Sequence, residues 1–186
     1  SFAAAAWVRM GTELPGKDAG DPVTLEEQNL LMNSTEIVAS VYNGSTWIST
    51  RLTNDGTPDL APATAVGGNG KAIVFWRSVY TPDPGTQGSN SLLNFTTRDC
   101  IMYSCYDSST GNWSNAKMLY NGATGRVKAL QAAMLPGGTA MAVYSLDRSE
   151  TGDTSDYEIA YCTVAADGTP GTAMLATCDS NLDENP

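Results

Sequence analysis

The sequence predicts an all-β fold assembled from repeated four-stranded units, and three observations predict it. Ser, Thr, Asn, Asp and Gly are abundant while charged residues make up only 16% of the 186 residues, a mixture that favours short strands and tight turns over helices. The apolar residues, 41% of the chain, gather in short runs. Those runs recur in a fixed order, so the chain can be laid against itself.

Gly70-Lys-Ala-Ile-Val-Phe-Trp76-Arg77-Ser reads like Gly138-Thr-Ala-Met-Ala-Val-Tyr144-Ser-Leu, and Ala3-Ala-Ala-Ala-Trp7-Val-Arg9 fits the same slot. After a polar loop comes a second strand pattern: Glu36–Tyr42, Asp99–Tyr106 and Tyr157–Val164. Tight turns follow at Asn43-Gly44, Asp107–Gly111 and Ala166-Asp167-Gly168, then closing strands that end in Arg51-Leu52, Met118-Leu119 and Met174-Leu175. Trp47 and Trp113 come directly after two of these turns and are expected to staple the hairpins. Two copies finish on a spaced pair, Asp59-Leu-Ala-Pro62 and Asp183-Glu-Asn-Pro186. A further strand opens the unit, at Pro62–Gly67 and Leu130–Leu135; Gly67–Gly70 and Pro136–Gly138 join it to the next strand by turns that need positive φ.

Pro62 and Pro186 are 124 positions apart with two copies between them, a period of about 62. Four short strands, A to D, at such a period match the blades of a β-propeller. The expected architecture is about three four-stranded antiparallel blades, the first lacking its strand A. The units are 1–61 (partial), 62–128 and 129–186. The alternative is a β-sandwich with internal repeats. Propellers usually close with about four to eight blades, so the expected partners are the remaining blades of the same propeller or a second copy.

Composition excludes several functions. The formal charge of −10 argues against nucleic acid or an anionic membrane, since both need a basic footprint. No apolar stretch approaches the roughly 20 residues that span a bilayer. Histidine is absent, which removes Ser-His-Asp and Cys-His catalysis and His-ligated zinc. None of the four cysteines forms a CxxC pair. Cys100 and Cys105 fall on opposite faces of one strand, so Cys162 with Cys178 is the pair to test for a disulfide, against buried free thiols. No cofactor or metal is expected. The acidic run Asp147, Glu150, Asp153, Asp156 and Glu158 could offer oxygens to Ca²⁺, but it lacks EF-hand spacing and reads as a solvated loop.

Loop length points to a working face. The A–B and C–D turns are minimal, whereas the B–C connections Met10–Ser34, Val79–Arg98 and Leu146–Ser155 are long, as binding loops on rigid scaffolds tend to be. Arg9, Arg77 and Arg148 lie near the ends of the B strands on that rim, beside Trp7, Trp76 and Tyr144. Arg77, Arg9 and Arg148 with Trp76 and Tyr144 are therefore the candidate ligand contacts, by stacking and bidentate hydrogen bonding to a sugar or peptide. The competing reading makes the aromatic residues packing between units and pairs the Arg residues with the Asp-x-x-Pro aspartates. No catalytic residue is assigned.

The Trp-bearing B strand, the Tyr–turn–Trp hairpin and the Asp-x-x-Pro link together resemble propeller repeats of large secreted bacterial surface proteins. They are also distantly similar to sialidase-type propellers, where an Asp-box turn joins strands C and D. The resemblance implies an extracellular or cell-surface module. Asp107-Ser-Ser-Thr-Gly111-Asn-Trp113 departs from the Asp-box spacing and Asn43-Gly44 lacks the Asp, and an Asp box is structural in any case. The first functional expectation is a non-catalytic binding or scaffolding module for glycan or protein. The rival is part of a carbohydrate-active enzyme whose carboxylates lie on B–C loops, with candidates in Asp18–Glu27, Asp83 and Asp147–Asp156. A third is a structural spacer.

Overall fold

The computed structural model describes residues 1–68, 70–79, 99–121, 126–148, 156–179 and 181–186. Asp83, Glu150, Asp153 and most of the second and third B–C connections lie outside the described residues.

Three antiparallel sheets follow one another along the chain, each a simple up-and-down meander. The first contains β1 (Ala3–Met10), β2 (Thr35–Tyr42) and β3 (Trp47–Arg51). The second contains β4 (Asp59–Val66), β5 (Lys71–Val79), β6 (Asp99–Asp107) and β7 (Asn112–Trp113), with β8 (Lys117–Tyr120) also paired to β6. The third contains β9 (Val127–Met134), β10 (Ala140–Asp147), β11 (Tyr157–Val164) and β12 (Met174–Leu175). The first sheet has no strand in the position that β4 and β9 hold beside β5 and β10. The second has five strands because its closing strand is broken into β7 and β8. No sheet closes into a barrel.

Side-chain alternation explains the stacking. On β5, Ala72, Val74 and Trp76 pack toward the first sheet with Ile37, Ala39 and Val41 of β2. Ile73 and Phe75 point the other way, into a core shared with Ala142, Tyr144, Ala160 and Cys162 of the third sheet. A strand covered on both faces needs an unbroken apolar run, and Ala72–Trp76 supplies it. A two-sheet sandwich would have one such core; here the middle sheet is buried on both sides. Packing between sheets runs mainly through β1, β4 and β9, with β4 lying against both of the others. The sheets thus converge on their first strands.

The turns follow the sequence reading. Gly70, Gly137 and Gly138 take φ of 75°, 86° and 87° in the A–B turns. In the C–D turns Asn43, Asp107 and Asp167 each accept a backbone N–H two residues on, at 2.9–3.0 Å. Directly across these hairpins Tyr42 faces Trp47 and Tyr106 faces Trp113, with ring centroids 5.5 and 5.3 Å apart; Val164 and Pro170 hold the corresponding place in the third sheet. β4 and β9 begin at Asp59 and Val127, ahead of the unit boundaries read at 62 and 129, so the Asp-x-x-Pro segment opens a strand. A bulge between Leu60 and Ala63, with Ala61 at φ 49°, turns the strand there.

One element was not expected. Residues Leu25–Asn33 within the first B–C connection form a helix, α1, despite a composition that favours strands. Thr24 and Glu27 make a reciprocal capping box: the Glu27 amide donates to Thr24 Oγ1 at 3.2 Å and the Thr24 amide donates to Glu27 Oε2 at 2.8 Å. Leu25 and Leu30 remain exposed, so the helix is held by its cap rather than by a core.

All four cysteines are free thiols. Cys162 is buried beside Gly171 while Cys178 is exposed near Arg148, which separates the pair singled out for a disulfide.

Candidate functional site

The rim formed by the ends of the B strands, the starts of the C strands and the D–A connections gathers the buried charge of the molecule. Among the described residues the buried charged side chains are Glu36, Asp59, Asp99, Asp147 and Glu158, all carboxylates and all on this rim. An isolated buried carboxylate is costly, so each position must answer for its partner.

Glu36 on β2 pairs through Oε1 with Arg51 Nη2 at 2.9 Å, while its Oε2 has no partner. Asp59 Oδ1 accepts Trp76 Nε1–H at 3.0 Å; Oδ2 is again unpartnered. Burial, with the nearby Asp55 charge adding to it, pushes the Asp59 carboxyl up to about 7, and the Trp76 hydrogen bond opposes the rise. Asp99 Oδ2 accepts the Val127 amide at 2.8 Å, and its Oδ1 lies 3.7 Å from Arg77 Nε. Burial raises the Asp99 pKa, and Arg77 and the Val127 amide oppose the rise. Glu158 has both oxygens used, by Thr177 Oγ1–H at 2.6 Å and the Asp179 amide at 2.9 Å.

Asp147 and Glu158 correct the reading of the acidic run as a solvated loop. Asp147 ends β10 and Glu158 sits inside β11, and their strands pair directly. Proximity of the strand ends, invisible in the sequence, draws both inward.

The five candidate ligand contacts fall in different surroundings. Trp76 is 1% exposed and Tyr144 is 0% exposed; both are packed between sheets, Trp76 against the first and Tyr144 against the second. Trp7 takes the equivalent register on β1 but lies on the outer face and is 41% exposed. The three Arg residues are not equivalent. Arg9 is exposed and opposite Glu36, the slot held by Ser78 on β5 and Leu146 on β10. Arg77 is one residue earlier, hence on the other face, where its Nη1 donates to the Val127 carbonyl at 2.7 Å. Arg148 follows β10 and points to Cys178 Sγ at 3.3 Å. Arg51, read from the sequence only as the end of a closing strand, makes the ion pair to Glu36.

Two further features escaped the sequence. One carboxylate oxygen from each of Glu36, Asp55 and Asp59 lies within 4.8 Å of the other two. On the opposite rim, the A–B and C–D turns of the second and third sheets enclose a polar cleft of about 370 Å³, lined by Lys71, Lys117, Asp107, Asp167 and Trp113. Those turns are too short to flag a site by length; the signal was that two of ten basic residues, Lys71 and Lys117, open strands beside them.

No protein-family model matches the chain, and no curated protein does. Solved structures similar to it include a Hadza microbial sialidase, at 12% identity and TM-score 0.49, over 75% of this chain and 32% of that one. A Trypanosoma rangeli sialidase in complex with sialic acid is similar at 13% identity and TM-score 0.48, over 76% and 25%. A Penicillium chrysogenum alpha-L-arabinanase complexed with arabinobiose is similar at 19% identity and TM-score 0.45, over 79% and 42%. The chain therefore spans 25–42% of the length of these structures.

Proposed function

We propose that this chain is a run of β-propeller blades serving as a non-catalytic binding or scaffolding module, completed by further blades or by a second copy. The observation that carries the reading is the sheet stack. Three meanders of the same order pack face to face, converge on β1, β4 and β9, and stop at an uncovered face. That face, on the first sheet, exposes Trp7 and Trp47, at 41% and 52%. These are the slots that Trp76 and Trp113 fill on the second sheet, where a neighbouring sheet covers them. Large exposed apolar surface of this kind marks an interaction site, and the missing strand beside β1 leaves an edge open to strand addition.

The buried carboxylates support a non-catalytic role. Asp99 spends its oxygens on the Val127 amide and Arg77, and Glu158 spends its two on the Thr177 hydroxyl and the Asp179 amide, so both hold neighbouring strand ends and connections rather than face a substrate. The ligand, glycan or protein, would dock on the B–C rim around Arg9 and α1, and the acidic surface suits an extracellular or cell-surface setting. A second reading, part of a carbohydrate-active enzyme, is favoured by one observation: a carboxyl at about 7, Asp59, beside two other carboxylates. A glycan array run with a glycosidase screen, on the chain and on a longer protein that carries it, separates the two. Binding without turnover is expected. Hydrolysis abolished by a single carboxylate change would overturn the proposal.

A further inference from the structure

The acid cluster at the D–A connection has a built-in control. The first and third repeats carry the same three acids at matching positions: Glu36, Asp55 and Asp59, and Glu158, Asp179 and Asp183. Hydrogen bonds confirm the match. The Ile37 amide donates to Thr53 Oγ1 at 2.9 Å as the Ile159 amide donates to Thr177 Oγ1 at 2.9 Å. Leu52 N–H reaches the Ile37 carbonyl at 2.8 Å as Ala176 N–H reaches that of Ile159 at 2.7 Å.

The two copies differ in how they satisfy the glutamate. In the third repeat the chain supplies both donors to Glu158, the Thr177 hydroxyl and the Asp179 amide. In the first, Glu36 has Arg51 on one oxygen and nothing on the other, although it is only 3% exposed. Asp59, 1% exposed, likewise keeps Oδ2 without a partner, as its match Asp183 does in the third repeat, so the difference between the copies lies at the glutamate. Buried polar atoms are rarely left unpaired, and each such atom asks for an explanation. Two occur here, on two acids of a three-carboxylate cluster that contains a single Arg.

We propose that Glu36, Asp55 and Asp59 bind one divalent cation of the Ca²⁺ class, which clasps the link between the first and second sheets. The donor set is oxygen only, which suits a hard cation and disfavours zinc. The three oxygens lie within 4.8 Å of one another, so a single ion can touch all three. They come from two strands and the connection between them rather than from one rigid element, an arrangement that suits the flexible shell of Ca²⁺ better than the near-ideal octahedron that Mg²⁺ demands. Asp55 is exposed, which gives the ion an entry path and leaves room for water ligands. The Asp55 Oδ1 bond from the Thr57 amide, at 2.9 Å, holds the carboxylate in place. Arg51 offsets one of the three negative charges, so the affinity should resemble weak extracellular modules, in the range of roughly 10⁻⁴–10⁻³ M.

The test is Ca²⁺ titration by calorimetry on the apo chain after chelator treatment, with Mg²⁺ alongside. Expected are one saturable Ca²⁺ site and at least tenfold weaker Mg²⁺ binding. Asp55→Asn keeps an acceptor for the Thr57 amide and should fold. It should weaken Ca²⁺ at least tenfold, while Asp179→Asn, at the matching third-repeat position, should leave it unchanged. Terbium luminescence gives a second readout, because Trp76 contacts Asp59 directly and would sensitise an ion there. Absence of a saturable site, equal Mg²⁺ binding, or equal weakening by Asp55→Asn and Asp179→Asn would overturn the proposal.

Discussion

Trp47 and Trp113 occupy the same position in successive repeats, and removing each should have unequal effects. Trp113 lies across from Tyr106 on the face that meets the first sheet, where it packs against both core clusters between the sheets. Replacing a buried Trp by Ala costs about 3–5 kcal/mol; Trp113 is partly buried, which places Trp113→Ala near the low end, about 3 kcal/mol. Trp47 makes the same cross-strand pair with Tyr42 but faces outward and is 52% exposed. Its loss removes a pair contributing about 0.2–1 kcal/mol plus part of one ring's burial, about 1 kcal/mol in all. The difference of about 2 kcal/mol corresponds to roughly 4–8 °C in Tm at this chain length. Far-UV circular dichroism melts in dilute solution measure it, since a fluorescence probe would change with the mutated Trp. Equal midpoints, or a larger drop for Trp47→Ala, would refute the assignment of inner and outer faces.

Other outcomes follow from individual sites. Gly70→Ala should destabilise by about 1–3 kcal/mol in a urea titration, because φ is 75° and a Cβ would meet Ser108 Oγ at 2.5 Å; an unchanged midpoint would contradict the turn geometry. Asp99 has a folded pKa raised above its unfolded value, so the unfolded chain ionises first and stability attributable to this group falls as pH rises above the ordinary carboxylate range. Its charged surroundings are Arg77, Arg126 and Tyr157. Asp99→Asn, which can still accept the Val127 amide, should gain on the wild type between pH 4 and pH 8 in chemical denaturation; a difference that stays constant over this interval would refute the assignment. In thiol titration Cys178 should react first and Cys100 only on unfolding, since it is buried and its thiol is pushed up to about 12. A fast phase that survives Cys178→Ser would count against this.

The repeat was legible because strands and turns are local. Ala72–Trp76 shows its double burial in an unbroken apolar run, and Asn43, Asp107 and Asp167 announce their turns by residue type. The helix was legible too, in the Thr24-x-x-Glu27 pair, but the strand-favouring composition of the whole chain obscured a nine-residue exception. Register was not legible. Arg9, Arg77 and Arg148 are read on one rim near the ends of the B strands, yet a one-residue offset from Arg9 puts Arg77 on the opposite face. The carboxylate cluster was hidden for a related reason: Glu36 and Asp59 meet only because β2 and the D–A connection end on one rim.

The uncovered face of the first sheet, with Trp7 and Trp47 exposed on it, is expected to be an interface. Light scattering across a concentration series, on the wild type and on a Trp7→Glu, Trp47→Glu double variant, tests it most directly. The wild type is expected to rise above the mass of a single chain as concentration increases, and the double variant to remain at that mass. A wild type that stays monomeric throughout, or a double variant that associates equally well, would contradict it.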